Sequence, residues 1–366
     1  MSWIRTPRAS RLAPALLSIA ALAWVTAPAA RAQETDVVTL KDGKSEGKIE
    51  SEDFAGISVE MKGGAKRTYP WTDVVAVTYG STPELATAIE TFTGGRLDEA
   101  LAQFEELRGA KPRPPVLQQI LLHEAMIHER QGKAEDALKS WTELLTSFPK
   151  GRYLRRAADG VVGGLLGANR AAEALSELDK IATGAQGVPG FAAEVDVLRG
   201  RVHEAQNDAA AAEASYKAAE AAADAPTSAK QEARLGLGRC LALGGKKAEA
   251  ETIFRALTKE DAPPYVLAGA WNGLAAKWRD EGKAKPDIER LYEALYGYLR
   301  GVVQYVPRAG EPTLEYQCAL AGAAECFTYI SQLEKTPEKK RRYAQLAEEH
   351  TAQLRAEYPN SPYLGK

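Results

Sequence analysis

A small residue followed four positions later by a large apolar one recurs along this chain at a nearly constant interval. The pairs are Ala100/Phe104, Ala137/Trp141, Ala174/Leu178, Ala212/Tyr216 and Ala250/Phe254, at steps of 37, 37, 38 and 38 residues. Four residues is about one helical turn, so both members of a pair lie on one helix face. Five such pairs in register require repeated copies of one supersecondary unit, each too small to bury its apolar face alone. Alanine lets an antiparallel neighbour approach, and the large side chain one turn on fills the gap between units. Connectors rich in proline and glycine separate the units: KPRPP at 111–115, GAQGVPG at 184–190 and DAPP at 261–264.

One unit can be spelled out as A125-x2-H128-x3-G132-x4-A137-x3-W141-x2-L144-x4-P149. This order of small, aromatic, turn, alanine, large aromatic, apolar and proline resembles the tetratricopeptide repeat (TPR), with His128 in a slot usually held by tyrosine. The resemblance implies a mainly α protein, a right-handed TPR-type α-solenoid. Its clearest repeats run over 84–262, within a helical region spanning 81–366. Two junctions, SFPKGRY at 147–153 and EYPNSPY at 357–363, are similar to those of exported bacterial TPR proteins.

The pattern loosens over 265–360. Helices are expected at 265–279, at 288–306, and at about 312–333 and 337–357, where Thr336-Pro337-Glu338 forms a helix start. The stripe Tyr292, Tyr296, Leu299 and Val303 has helical spacing and is expected to be core. Cys318 and Cys326, eight residues apart on one predicted helix, are about 12 Å apart and too distant for a disulfide. With Cys240 they are expected to act as small buried hydrophobes.

Residues 33–80 have a different rhythm. Short alternating runs broken by Lys-Asp-Gly and Gly-Gly turns predict strands near 36–41, 46–51, 56–61, 66–69 and 74–79. A turn at Pro70-Trp71-Thr72-Asp73 precedes the last of them. Five short strands suggest a small closed five-stranded β-barrel, because closure removes exposed edges. The opening VTLKDGK and the turn before the final strand resemble SH3-like or Sm-like barrels. Nine acidic against six basic residues in this segment argue against carrying over RNA binding.

Residues 1–32 carry Arg5, Arg8 and Arg11, then an apolar run, then APAARA, the three parts of a secretory signal peptide. Cleavage is expected after Ala32, which puts the mature protein in the periplasm or cell envelope without a membrane-embedded segment. The formal net charge of −2 becomes −6 once four arginines are removed. A mildly acidic exported chain has no general attraction to nucleic acid.

Candidate chemistry is sparse. LLHEAMIHERQGK at 121–133 resembles a zinc-protease helix, but His123 and His128 are five residues apart. Five residues turn a helix through about 140°, so the two imidazoles diverge where a metal needs convergence. GLGRCLALGGKK at 236–247 echoes a phosphate loop, yet Cys240 replaces a required glycine and Lys247 the hydroxyl, so a turn is expected. EKKRR at 338–342 reads as a solvated helix face. No catalytic, metal or cofactor site is predicted.

The expected function is therefore a non-enzymatic interaction scaffold that binds a protein or peptide partner in the concave groove. The resemblance implies groove-facing positions at Gln119, Met126, Glu129, Arg130, Arg201, Glu204, Arg239 and Lys277. A glycan binder using the barrel and Trp71, or an enzyme without a familiar motif, are the alternatives. N-terminal sequencing of the exported chain is expected to read from Gln33; a retained Met1 in a membrane fraction would contradict the signal assignment.

Overall fold

The computed structural model describes residues 35–307, 311–359 and 361–365. The expected signal segment lies outside the described residues. Thr35–Lys366 forms one compact unit.

Five strands open it: β1 (Asp36–Leu40), β2 (Gly43–Glu52), β3 (Gly56–Met61), β4 (Lys66–Pro70) and β5 (Val74–Thr78). All pair antiparallel in the order β4-β3-β2-β1-β5, and a 3-10 turn at Trp71–Asp73 carries the chain to the far edge. Val38, Ile49, Ile57 and Val59 are buried on one face. Gly63 and Gly64 turn β3 into β4 with φ of +107° and +83°, the region that favours glycine. The expected five short antiparallel strands are all present, with β4 and β5 at the two ends of the order and no ladder joining them among the described residues. β4 ends the sheet as an edge, exposing Lys66 and Arg67 and closing on Pro70, which has no N–H to donate.

Fourteen α-helices follow among the described residues. They are α1 (Glu84–Thr93), α2 (Leu97–Gly109), α3 (Pro114–Arg130), α4 (Ala134–Ser147), α5 (Leu154–Gly167), α6 (Ala171–Gly184) and α7 (Phe191–Ala205). Next come α8 (Ala209–Ala221), α9 (Thr227–Leu243), α10 (Lys247–Leu257), α11 (Pro264–Ala284), α12 (Ile288–Gln304), α13 (Leu314–Leu333) and α14 (Pro337–Glu357). The turn inside each of the first five pairs holds one left-handed residue: Gly95, Gly132, Asn169, Asn207 and Gly245. Their spacing repeats the 37- and 38-residue steps of the alanine pairs. Gly245 is thus the inter-helix turn of the phosphate-loop lookalike.

All ten members of the five pairs are buried. Room for three of the large ones, Trp141, Tyr216 and Phe254, comes from glycine on the adjoining odd-numbered helices. A Cβ on Gly160 would sit 2.5 Å from the Trp141 indole, and one on Gly238 or Gly273 would sit 2.5 or 2.4 Å from Phe254. Tyr216 is sandwiched, since Cβ atoms on Gly200 and Gly236 would stand 2.5 and 2.3 Å from its ring. Ala294/Tyr298 continues the series after a longer step, with Tyr298 lying against Gly322 at 2.3 Å by the same measure.

The face of α12 differs from the expected one. Leu291, Ala294, Leu295 and Tyr298 are buried, whereas Tyr296 and Val303 are 65% and 72% exposed. The stripe 292/296/299/303 is turned about 100° from the packed face, and aromatic content alone does not choose between them. Cys240 and Cys326 are buried as expected; Cys318 is only partly so.

Gly236→Ala should reverse the usual sign of such a change. Alanine ordinarily stabilises a helix interior by about 0.5–1 kcal/mol over glycine. Here overpacking against Tyr216 should cost about 1–3 kcal/mol, measured by denaturant unfolding. Gly163→Ala on α5, which meets nothing within 4 Å, should be neutral or stabilising.

Candidate functional site

The odd-numbered helices α3 to α13 form the inner layer, and its curvature shows in ion pairs that skip a repeat. Arg155 on α5 donates to Glu194 on α7 (2.7 Å) and also to Glu232 on α9 (2.8 Å). Arg239 on α9 holds Glu204 on α7 (2.9 and 3.0 Å) and reaches past α11 to Glu315 on α13 (3.0 Å). Asn272 on α11 donates to the same Glu315, through its backbone oxygen and its carboxylate. Arg201 on α7 pairs with Asp159 on α5.

Three of the large outer side chains reach this layer with a polar tip. The Trp141 indole N–H donates to Glu129 (2.8 Å), whose other oxygen accepts from Arg156 (2.6 Å). The Arg156 guanidinium also lies 4.3 Å from the Trp141 ring centroid. The Tyr216 hydroxyl donates to Glu204 (2.5 Å) beside Arg239. The Tyr298 hydroxyl accepts from Arg279 (3.2 Å), which is paired with Glu325 (2.8 Å). These are the second, fourth and sixth units; the first, third and fifth carry Phe104, Leu178 and Phe254, which have no tip to offer.

The eight expected groove residues fall into three groups. Gln119 and Met126 are buried, at 7% and 5% exposure. Gln119 donates to the hydroxyls of Tyr79 and Tyr153 at the joint with the sheet. Arg201, Glu204, Arg239 and Lys277 are partly buried in ion pairs, Lys277 with Glu251 (3.2 Å) and Glu281 (2.5 Å). These long polar side chains thus take part in packing the repeats, because tight curvature brings opposite charges on neighbouring inner helices together. Glu129 stays about one third exposed. Arg130 is exposed, its guanidinium 4.3 Å over the Phe92 ring, with no salt bridge among the described residues.

His123 is stacked on Phe104 at 5.0 Å, with Nδ1 2.7 Å from the Gln119 carbonyl. Burial pushes its pKa down to about 4, so it is neutral. His128, also lowered by burial, lies among Glu105, Lys133 and Asp136 instead. The two imidazoles do not share a site.

The joint between sheet and helices was not legible in the sequence. The SFPKGRY junction meets the β2–β3 turn as a strand-like bridge: Asp53 pairs with Gly151, Phe54 N–H donates to Lys150 (2.8 Å), and Arg152 N–H to Glu52 (3.1 Å). Gln118 donates to the Glu52 carbonyl (3.0 Å), and Arg113 to the Ile49 carbonyl (3.0 Å) and to Asp36. Burial raises the Glu52 carboxyl, opposed by the Arg152 guanidinium. Trp71 lies under Arg152 at 3.9 Å and donates to the Asp53 carbonyl (2.7 Å). The Phe54 ring meets Phe191 edge-on at 5.5 Å. The signal that could have found this seam is the Arg-Tyr of the junction, facing an acidic strand end.

Fold and register thus define a TPR-like solenoid behind a five-stranded antiparallel sheet. Residues 85–151 and 197–265 match the tetratricopeptide repeat family model. Among solved structures, the chain is similar to a tetratricopeptide repeat protein from Parabacteroides merdae (17% identity, 72% of this chain and 97% of that one, TM-score 0.41). It is also similar to the C-terminal part of a TPR repeat-containing protein from Cytophaga hutchinsonii (12% identity, 77% and 100% coverage, TM-score 0.37). A third is PilW, a type IV pilus biogenesis factor (19% identity, 77% and 94% coverage, TM-score 0.32). No curated protein matches the sequence.

Burial alone would raise the Asp159 carboxyl, but Arg201, Arg155 and Arg156 outweigh it and hold it at about 2. A depressed folded value stabilises the chain above the unfolded carboxylate range and is lost as pH falls through the folded value. Arg201→Gln should therefore cost about 3 kcal/mol at neutral pH. The difference from the parent chain, followed by urea unfolding, should shrink between about pH 4 and pH 2.

Proposed function

We propose that this chain is a non-catalytic scaffold of the bacterial cell envelope that holds a polypeptide partner along the inner face of its helical stack. The supporting observation is the inner face itself, a line of guanidiniums and carboxylates from α3 to α13 that stay partly exposed. A surface carrying both signs complements a polypeptide, which also carries both, better than a polyanion. Tetratricopeptide stacks are commonly protein-binding scaffolds, and helix pairs in series offer the extended surface such binding uses. The envelope setting rests on the N-terminal signal pattern and on the two junctions similar to those of exported relatives. Among the described residues no helix is long and apolar enough to cross a membrane. Trp71, on which the glycan alternative rests, has one face under Arg152 and its N–H donated to the Asp53 carbonyl, which favours the groove reading.

Arg130 is the residue to test, since it is exposed, forms no salt bridge among the described residues, and touches the neighbouring repeat only by lying over the Phe92 ring. Tagged mature protein crosslinked in the envelope should capture its partner, and Arg130→Glu should weaken that capture by about tenfold, while loss of the Phe92 contact should cost only about 0.5–1 kcal/mol of stability. Retrieval of the same partner at the same affinity would move the binding surface to the sheet domain.

A further inference from the structure

Six large apolar side chains are exposed among the described residues, and three of them lie together. Among the described residues, Tyr296 on α12 is 65% exposed, Val303 on the same helix 72%, and Val306 just beyond its end 55%. The spacing Tyr292, Tyr296, Leu299 and Val303 alternates steps of four and three, the seam of a coiled coil, with Tyr292 and Leu299 also partly buried against the core. The adjacent face of α12, about 100° round, is fully used: Leu291, Ala294, Leu295 and Tyr298 are buried, and Gly297 and Gly301 let α11 and α13 approach. Tyr292 is held from the side by the Tyr343 hydroxyl at 2.9 Å. Tyr296 and Val303 point away from the helices that pack α12.

The charges beside this stripe are distributed unevenly. Glu289 and Glu293 are exposed at the N-terminal half, and Arg300 at the C-terminal half. Arg300 rests over the Trp271 ring at 4.2 Å and forms no salt bridge among the described residues. Glu293 is held by Arg290 on its own helix, and Glu289 beside it has no salt bridge among the described residues, so the N-terminal half keeps an excess of acid. That excess at one end and an unpaired guanidinium at the other make the face complementary to itself when reversed. Laid antiparallel, two copies set Tyr296 of each beside Leu299 of the other and Tyr292 beside Val303. Glu293 and Arg300 then flank the same two layers from opposite chains, twice over by symmetry.

We propose that the outer face of α12 is a self-association surface on which a second copy of this chain lays its own α12 antiparallel, with Tyr296 and Val303 in the seam and Glu293–Arg300 pairs across it. The surface belongs to the outer layer and does not depend on the inner face as a partner site. One helix face is small for an interface, so the dimer should depend on concentration.

Sedimentation of the mature chain over a range of concentrations tests this, with circular dichroism to confirm that each variant keeps its helix content. A monomer–dimer equilibrium is expected. Tyr296→Lys should abolish it, and Arg300→Glu should weaken it by about tenfold or more at low salt. Glu293→Arg combined with Arg300→Glu should restore association, a result that loss of structure cannot mimic. Tyr296→Cys or Leu299→Cys alone, oxidised at moderate concentration, should give a covalent dimer far faster than a cysteine placed at Lys180. A monomer at all concentrations, a dimer insensitive to Tyr296→Lys, or failure of the double swap to restore association would overturn the proposal. So would a different protein found crosslinked at position 296 with no self-crosslink.

Discussion

The structure depends on one steric arrangement: a large side chain from an outer helix lodges against the inner helices, and at Trp141, Tyr216, Phe254 and Tyr298 glycine leaves the room for it. Tyr216 shows it most fully, with Gly200 on one side and Gly236 on the other. Dispersion falls off so steeply with distance that a ring held on both faces gains far more than one facing a gap. The same contact sets the separation of successive inner helices. It therefore sets which of their polar residues can reach one another. Arg239 meets both Glu204 and Glu315 because α7, α9 and α13 have been drawn around one tight inner face. Packing on the outer side and ion pairing on the inner side are one constraint seen from its two ends.

The polar tips tie these ends together. An indole N–H or phenol O–H brought through the helix layer would be costly to leave unsatisfied, and a carboxylate beside it is costly to bury alone. Trp141 with Glu129 and Arg156, and Tyr216 with Glu204 and Arg239, satisfy both needs within a triad. The sheet meets the stack by the same chemistry. Glu52 is buried at the joint, accepts from Tyr79 and pairs with Arg152, while the backbone of the 147–153 junction completes the seam. Because backbone bridge, ion pairs and the Phe54–Phe191 contact all cross this seam, the sheet belongs to one compact unit with the helices.

The repeat was legible because its cause is local. An alanine, a turn residue and a large side chain at fixed spacing are demanded by helix geometry, so Ala137, Gly132 and Trp141 could be read without knowing their neighbours. The strands were legible for the same reason: alternation and glycine turns are short-range signals. Failures arose where the outcome depends on what lies opposite. Gln119 and Met126 occupy the expected register, yet the sheet and the curvature of the stack enclose them. On α12 two adjacent faces are both aromatic, and only the placement of α11, α13 and α14 decides that Tyr298 goes inside and Tyr296 outside. The Arg155–Glu232 and Arg239–Glu315 pairs join residues 77 and 76 positions apart, a relation no local pattern contains.

Self-pairing of the inner charges has a consequence for the proposed partner. A guanidinium already holding a carboxylate offers an incoming acid only the difference between the new pair and the old one. Electrostatic complementarity here therefore favours discrimination over raw affinity. Charges fixed by a polar tip occur at every second unit, at Trp141, Tyr216 and Tyr298, while Phe104, Leu178 and Phe254 leave theirs unanchored. Adjacent inner helices stand about 10 Å apart, so anchored positions recur roughly every 20 Å. An extended polypeptide covers that distance in about six residues. On the proposed reading, a partner strand whose charges alternate in sign at about that interval could exchange pairs at successive anchors without leaving any buried ion unpaired. A strand with another spacing would break the existing pairs and replace only some of them.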